Sequence, residues 1–187
     1  MGTSKSQGSP STPPWNAVKK AYQKPDIDNN RISQLLWRAG SSEPSTNLIA
    51  LLGQPVAFSC LNIILKSEDI FSASHEATRN ISRDKHAGIT AEIARRAIIS
   101  SFETPEKTKN YIASLFKEAT NYLISRDLST LVGTSPRLEE LKNTTKIKMD
   151  ILEITQNKVF KMDIPRKIPN YKSWCQLIES IGDRLKK

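Results

Sequence analysis

Residues 104–123 read TPEKTKNYIASLFKEATNYL, and the reading of this stretch settles the fold class. Thr104 offers a side-chain oxygen suited to a helix N-cap. Pro105 offers a fixed φ suited to a first turn, and Glu106 a negative charge that favours the positive end of the helix dipole. Tyr111, Ile112, Leu115, Phe116, Ala119, Tyr122 and Leu123 then recur at three- and four-residue spacing. That spacing lines one face of an α-helix and would scatter over both faces of a strand. The expectation is a long helix with its apolar face in a core.

The same signals recur outward in both directions. Trp15 to Gln23 predicts a short helix stopped by Lys24-Pro25. Asp26 is placed to cap a second helix, bearing Ile32, Leu35, Leu36 and Ala39 and ending at Gly40. Ser45 to Leu52 predicts another, closed by Gly53. Pro55 opens Val56 to Leu65, which is apolar nearly all round and so belongs at the centre. Residues 67–88, SEDIFSASHEATRNISRDKHAG, are polar and fit a weak helix or a long loop. Thr90 is placed to cap Ala91 to Phe102.

Toward the C-terminus, Ser135-Pro136 repeats the cap chemistry before Leu138, Leu141, Ile151 and Leu152. Asn170 precedes the stripe Trp174, Leu177, Ile178, Ile181 and Leu185, of which Trp174, Leu177 and Ile181 are expected in the core. Only Phe160 to Ile164 alternates as a strand would, without an evident partner. The predicted fold is all-α: a single bundle of about seven helices over residues 15–187, behind a flexible, disordered tail of residues 1–14.

The composition narrows the function classes. In 187 residues, 37% are hydrophobic and 25% charged, which gives a globular body. The apolar runs, such as Leu48 to Leu52, fall far short of the roughly 18 residues of a membrane-spanning helix. No secretory signal opens the chain, and the expected location is the cytoplasm. The net charge of +9 is uneven: residues 1–40 hold 6 basic and 2 acidic groups, residues 41–136 hold 10 of each, and residues 137–187 hold 12 and 7. The excess sits at the two ends and forms one patch only if those ends meet in space. It raises the prior for an anionic partner and leaves a nucleic acid open.

Side chains that carry chemistry are sparse, and no catalytic residue, metal site or cofactor is expected. Cys60 and Cys175 lie in apolar stretches, share no Cys-x-x-Cys spacing, and read as small core residues rather than as half of a cysteine–histidine pair with His75 or His86. The glycines are isolated and build no phosphate cradle, so each reads as a tail residue or a helix stop. Adjacent carboxylates at Glu68-Asp69 and Glu139-Glu140 point about 100° apart on a helix and seldom converge on one substrate. Arg95-Arg96 invites a helix-turn-helix comparison but reads better as a solvated helix face. Trp15, Trp37 and Trp174 read as packing residues.

The one unusual feature is the beginning, MGTSKSQGSPSTPPW, with eleven Gly, Ser, Thr or Pro residues in its first fourteen. Such a segment buries too little apolar surface to offset the entropy of ordering it. Glycine in second position lets the initiator methionine be removed, exposing the α-amine of Gly2. That amine titrates near pH 8, against roughly 10.4 for lysine, so it is the chain's readiest nucleophile for an activated acyl group. Met1 to Ser6 also satisfies the six-residue N-myristoylation pattern.

The opening MGTSKSQGSPSTPPWNAVKKAY, residues 1–22, resembles that of a bacterial group beginning Met-Gly-Thr-Ser-x-Ser, followed by Ser-Pro-x-Thr-Pro-x-Trp and a basic helix. The group includes the QatB-like components of Qat antiphage defence systems, encoded beside a QueC-like protein that resembles 7-cyano-7-deazaguanine synthase. The resemblance implies that this partner activates a carboxylated deazaguanine with ATP and joins it to the α-amine of the glycine after methionine. Carried onto this chain, it makes Gly2 the modification acceptor and Thr3, Ser4 and Ser6 the motif the enzyme recognises. It implies a non-enzymatic protein whose partners are that enzyme and other defence-system proteins. Two other readings remain beside it: a DNA- or RNA-binding helical protein, and an N-myristoylated, membrane-associated matrix-like protein.

Overall fold

The computed structural model describes residues 12–42, 47–83, 88–127, 138 and 141–187, and within them the chain is all-α, with nine helices and no strand among the described residues. In chain order they are α1 (Pro13–Gln23), α2 (Asn29–Ser42), α3 (Leu48–Leu52), α4 (Pro55–Lys66), α5 (Ile70–Arg83), α6 (Gly88–Ser100), α7 (Lys107–Asp127), α8 (Leu141–Phe160) and α9 (Tyr171–Leu185). The helix α7 is the hub: α8 and α6 lie along it, and α2, α3 and α4 also touch it. Its predicted stripe is the centre of the core, with Tyr111, Ile112, Leu115, Phe116 and Ala119 all buried. The start differs from expectation. Pro105 lies before the helix, while the Thr104 hydroxyl accepts from the Glu106 amide at 3.3 Å and from Asn110 Nδ2 at 2.8 Å.

Nine helices replace the expected seven or so, and part of the difference lies in residues 67–88. These contain α5, whose start is fixed by Asp69: its carboxylate accepts from the amides of Phe71 and Ser72 at 2.7 and 2.9 Å. Those bonds hold the Asp69 carboxyl below its usual pKa, the Ser72 amide contributing most. The face α5 presents to α4 and α6 is built on Ala73 and Ala77, both buried.

Several caps fall elsewhere than predicted. Asp28, not Asp26, caps α2, its Oδ1 accepting from the Asn30 amide at 3.1 Å. Gly40 does not end that helix. It lies within it, against α7, where an added Cβ would come within 2.9 Å of Leu123 Cδ1. Thr90 is not a cap but a buried link, its hydroxyl donating to the Leu51 carbonyl at 3.1 Å. Gly182, read as a stop, is the close-approach point of α9 on α3, where an added Cβ would overlap the Ile49 side chain. Asn47 caps α3 and Asn170 caps α9, the latter as expected. Ser135-Pro136 lies outside the described residues.

Phe160 to Ile164 forms no strand. Phe160 ends α8, the chain turns with the Met162 amide donating to the Val159 carbonyl at 3.0 Å, and Ile164 and Ile168 are buried in the irregular run that follows. Thr108 holds this run by donating to the Arg166 carbonyl.

The stripe on α9 is shifted by a fraction of a turn. Trp174, Ile178, Ile181 and Leu185 are buried, whereas Leu177 is only half-buried at its edge, which corrects its placement in the core. Ile178→Ala is therefore expected to cost about 2–5 kcal/mol and Leu177→Ala clearly less, under about 2 kcal/mol. Equilibrium urea unfolding of the two variants checks the order, and equal costs would contradict the register.

Candidate functional site

The predicted acceptor Gly2 and the recognition residues Thr3, Ser4 and Ser6 lie outside the described residues. What the structure places is the point where that segment joins the body. Thr12 is exposed and its carbonyl accepts from the Asn16 amide at 3.1 Å. Pro13 and Pro14 occupy the first turn of α1, two residues before the expected start, where a fixed φ and a missing N–H cost nothing. Trp15 is 1% exposed, and with Val18, Ala21 and Tyr22 it seats α1 in the core. The junction is thus anchored within three residues of Thr12.

The two basic ends of the sequence meet, a point composition alone left open. The helix α1 packs on α2, and α2 packs on α8 and α9. Gln34 Nε2 donates to the Lys187 carbonyl and Arg38 Nε to the Lys186 carbonyl, each at 2.6 Å. Deeper in the same seam Ser33 Oγ lies 3.1 Å from Thr155 Oγ1, and Asn29 Nδ2 donates to Asp150 Oδ2 at 3.1 Å. Arg31, Arg38, Lys186 and Lys187 therefore share one region, interrupted by Asp183, which pairs with Lys186 at 2.9 Å. Lys158 belongs to the same side. Burial lowers its pKa, with the Asp28 charge opposing.

Arg95 and Arg96 do not stand free for a nucleic acid. Both pair with Glu92, at 3.1 and 2.7 Å, and Arg96 also lies 3.9 Å from Glu118. The three tryptophans are all fully buried in the core. Of the carboxylate pairs, Asp69 is spent on capping α5, and Glu139-Glu140 lies outside the described residues. His75 is exposed, and His86 is not described. No group of three or more His, Cys, Asp or Glu that could hold a metal ion occurs among the described residues, and none of their helices is long and apolar enough to cross a membrane.

The thiols are separately housed. Cys60 is buried, and desolvation pushes it up to about 11, with the Tyr111 hydroxyl opposing. Cys175 is half-buried on α9, its Sγ 3.6 Å from the Gly53 carbonyl oxygen. At pH 8 only about one Cys60 in a thousand is thiolate, and the thiolate is the reactive form. Cys175 is expected to react with a disulfide reagent in the native protein, and Cys60 at least about 100-fold more slowly, becoming reactive on unfolding. Equal native rates would contradict this. Cys60→Ser and Cys175→Ser variants that fold are expected to retain function.

One feature escaped the sequence reading. Along α7 and α8 a groove of about 480 Å³ is lined by Asn110, Ser114 and Lys117 on one side and Glu153, Gln156 and Phe160 on the other. On a linear sequence each set looks like an ordinary solvated helix face.

No protein-family model, curated protein or solved structure matches the chain.

Proposed function

We propose that this chain is a non-enzymatic component of a bacterial antiphage defence system, and that its Gly2 α-amine accepts a 7-deazaguanine-type acyl group from a QueC-like enzyme. The observation that carries the reading is the opening sequence: Met1-Gly2-Thr3-Ser4-Lys5-Ser6, then the Ser/Pro/Thr run that ends at Trp15. In the step proposed, the partner activates the carboxyl group of the modifying base with ATP. The free-base amine of Gly2 attacks the activated carbonyl carbon, the amine loses a proton, and the adenylate leaves as the amide forms.

The residue types suit that chemistry. At neutral pH on the order of a tenth of an α-amine is free base, hundreds of times the lysine fraction. Glycine adds no side chain to obstruct a narrow pocket. The ten peptide links from Gly2 to Thr12 span at most about 35 Å when extended. That reach lets the amine enter an active site on another protein while the body, anchored at Trp15, stays outside. Co-expression with the QueC-like partner tests this: the expected product lacks Met1 and carries added mass on residue 2, and an unmodified Gly2 amine contradicts it. A fatty-acyl mass there instead would establish the lipidated, membrane-associated reading.

A second reading, nucleic-acid binding, is favoured by one observation, the meeting of the basic ends along α2 and residues 186–187. Its signature is duplex binding that weakens steeply between low and moderate salt and is reduced by Arg31→Gln with Arg38→Gln.

A further inference from the structure

The helix α5 is packed unlike its neighbours. From Ile70 to Ser82 only Ala73 and Ala77 are buried, and Phe71 is 83% exposed. A methyl group is the smallest apolar surface a side chain can give to a core, so α5 gains little by lying on α4 and α6. Its one larger apolar contact is the half-buried Ile81, which meets Val56 of α4 and Ala91 of α6 in a small cluster beside the main core.

Directional bonds do not make up the difference. Among the described residues, the side chains of Ile70 to Ser82 form no hydrogen bond, ion pair or ring contact with another helix. Ser72 bonds to the Asp69 cap and Ser82 to the Arg79 carbonyl, both local to the element. The helices beneath it are tied elsewhere: the Tyr111 hydroxyl of α7 donates to the Ala57 carbonyl of α4 at 2.9 Å, and Thr90 of α6 donates to the Leu51 carbonyl of α3. The turn before α5 is tied too. The Ser67 amide donates to the Ile63 carbonyl at 2.9 Å, and Lys107 Nζ donates to the Ser67 carbonyl at 2.7 Å. Firm anchoring therefore reaches Ser67 and stops short of α5.

We infer that α5 is a detachable cover, which opens from α4 and α6 while the rest of the bundle stays folded. An element with few buried apolar contacts and no bonds to its surroundings opens at a small fraction of the global unfolding free energy. An isolated helix of this length is marginal in water, so α5 loses its own hydrogen bonds once it leaves its seat. The opening uncovers Val56 and Ala91, while α4 and α6 remain packed on α7. It is independent of the chemistry proposed for Gly2.

Hydrogen exchange of the full native chain, read by mass spectrometry, tests this. Peptides within residues 70–82 are expected to be at least about 100-fold less protected than peptides within residues 111–123 of α7. Low urea should speed exchange in α7 and leave α5 nearly unchanged, because a local opening exposes little new surface. Ile178→Ala is expected to speed α7 at least about 30-fold and to leave α5 within about twofold, since the contacts of Ile178 survive the opening of α5. The urea series on the unaltered chain reads the same distinction should that variant fail to fold. The proposal is overturned if α5 is protected as strongly as α7, or if its exchange rises in step with that of α7 under urea or in Ile178→Ala.

Discussion

Gly2→Trp is expected to abolish the proposed covalent modification and the proposed defence function together, while leaving the folded body unchanged. A bulky second residue keeps the initiator methionine in place, so the amine is presented one residue farther out and behind a side chain that a glycine-sized pocket excludes. The thermal midpoint should move by less than about 1 °C, since about 1 kcal/mol corresponds to 2–4 °C in a domain of this size. Among the described residues, the core contribution of the N-terminal region begins at Trp15 in α1. Deleting Thr3 to Ser6 should act alike, through recognition rather than stability. Intact-mass spectrometry and thermal unfolding on the same preparations check both halves, and a variant that loses function by losing its fold would contradict the account.

Trp174→Ala is expected to have the largest effect on stability, about 3–5 kcal/mol, which lowers the midpoint by roughly 6–20 °C. The ring is fully buried, with centroids 5.8 Å from Phe58 and 6.5 Å from Tyr111, so its loss empties the contact between α9, α4 and α7. Trp174→Phe should cost less than half as much. It keeps most of the aromatic packing and removes an indole N–H that has no partner in the native core. Denaturant unfolding of the two variants decides this, and equal costs would show that the indole ring is not held by packing.

What the sequence disclosed and what it hid follow from how each contact is made. Large apolar residues at helical spacing, as in α7 and α9, announce both a helix and its buried face. The helix α5 announces neither, because the side chains it buries are the alanines Ala73 and Ala77. Gly40 and Gly182 were read as stops because a glycine near the end of a stripe usually is one. At both positions the missing Cβ instead admits another helix's side chain, Leu123 and Ile49. In a single sequence the two uses look the same.

The alternation over Phe160 to Ile164 reflected side chains turning to the core from a helix end and an irregular run, without a strand partner. The proposal for Gly2 rests on sequence alone, because the chemistry of an α-amine is local to one residue and one terminus. The meeting of the basic ends was not legible there, since it depends on α2 lying against α8 and α9. Nor was the groove: Asn110, Ser114 and Lys117 become one wall only once α8 lies alongside.

The central claim rests on residue 2, and the most direct measurement is the intact mass of functional protein purified from its native host, with fragmentation to locate any added group. The account predicts a chain that lacks Met1 and carries a 7-deazaguanine-type acyl group on the Gly2 nitrogen. Fully functional protein with an unmodified Gly2 amine would contradict it.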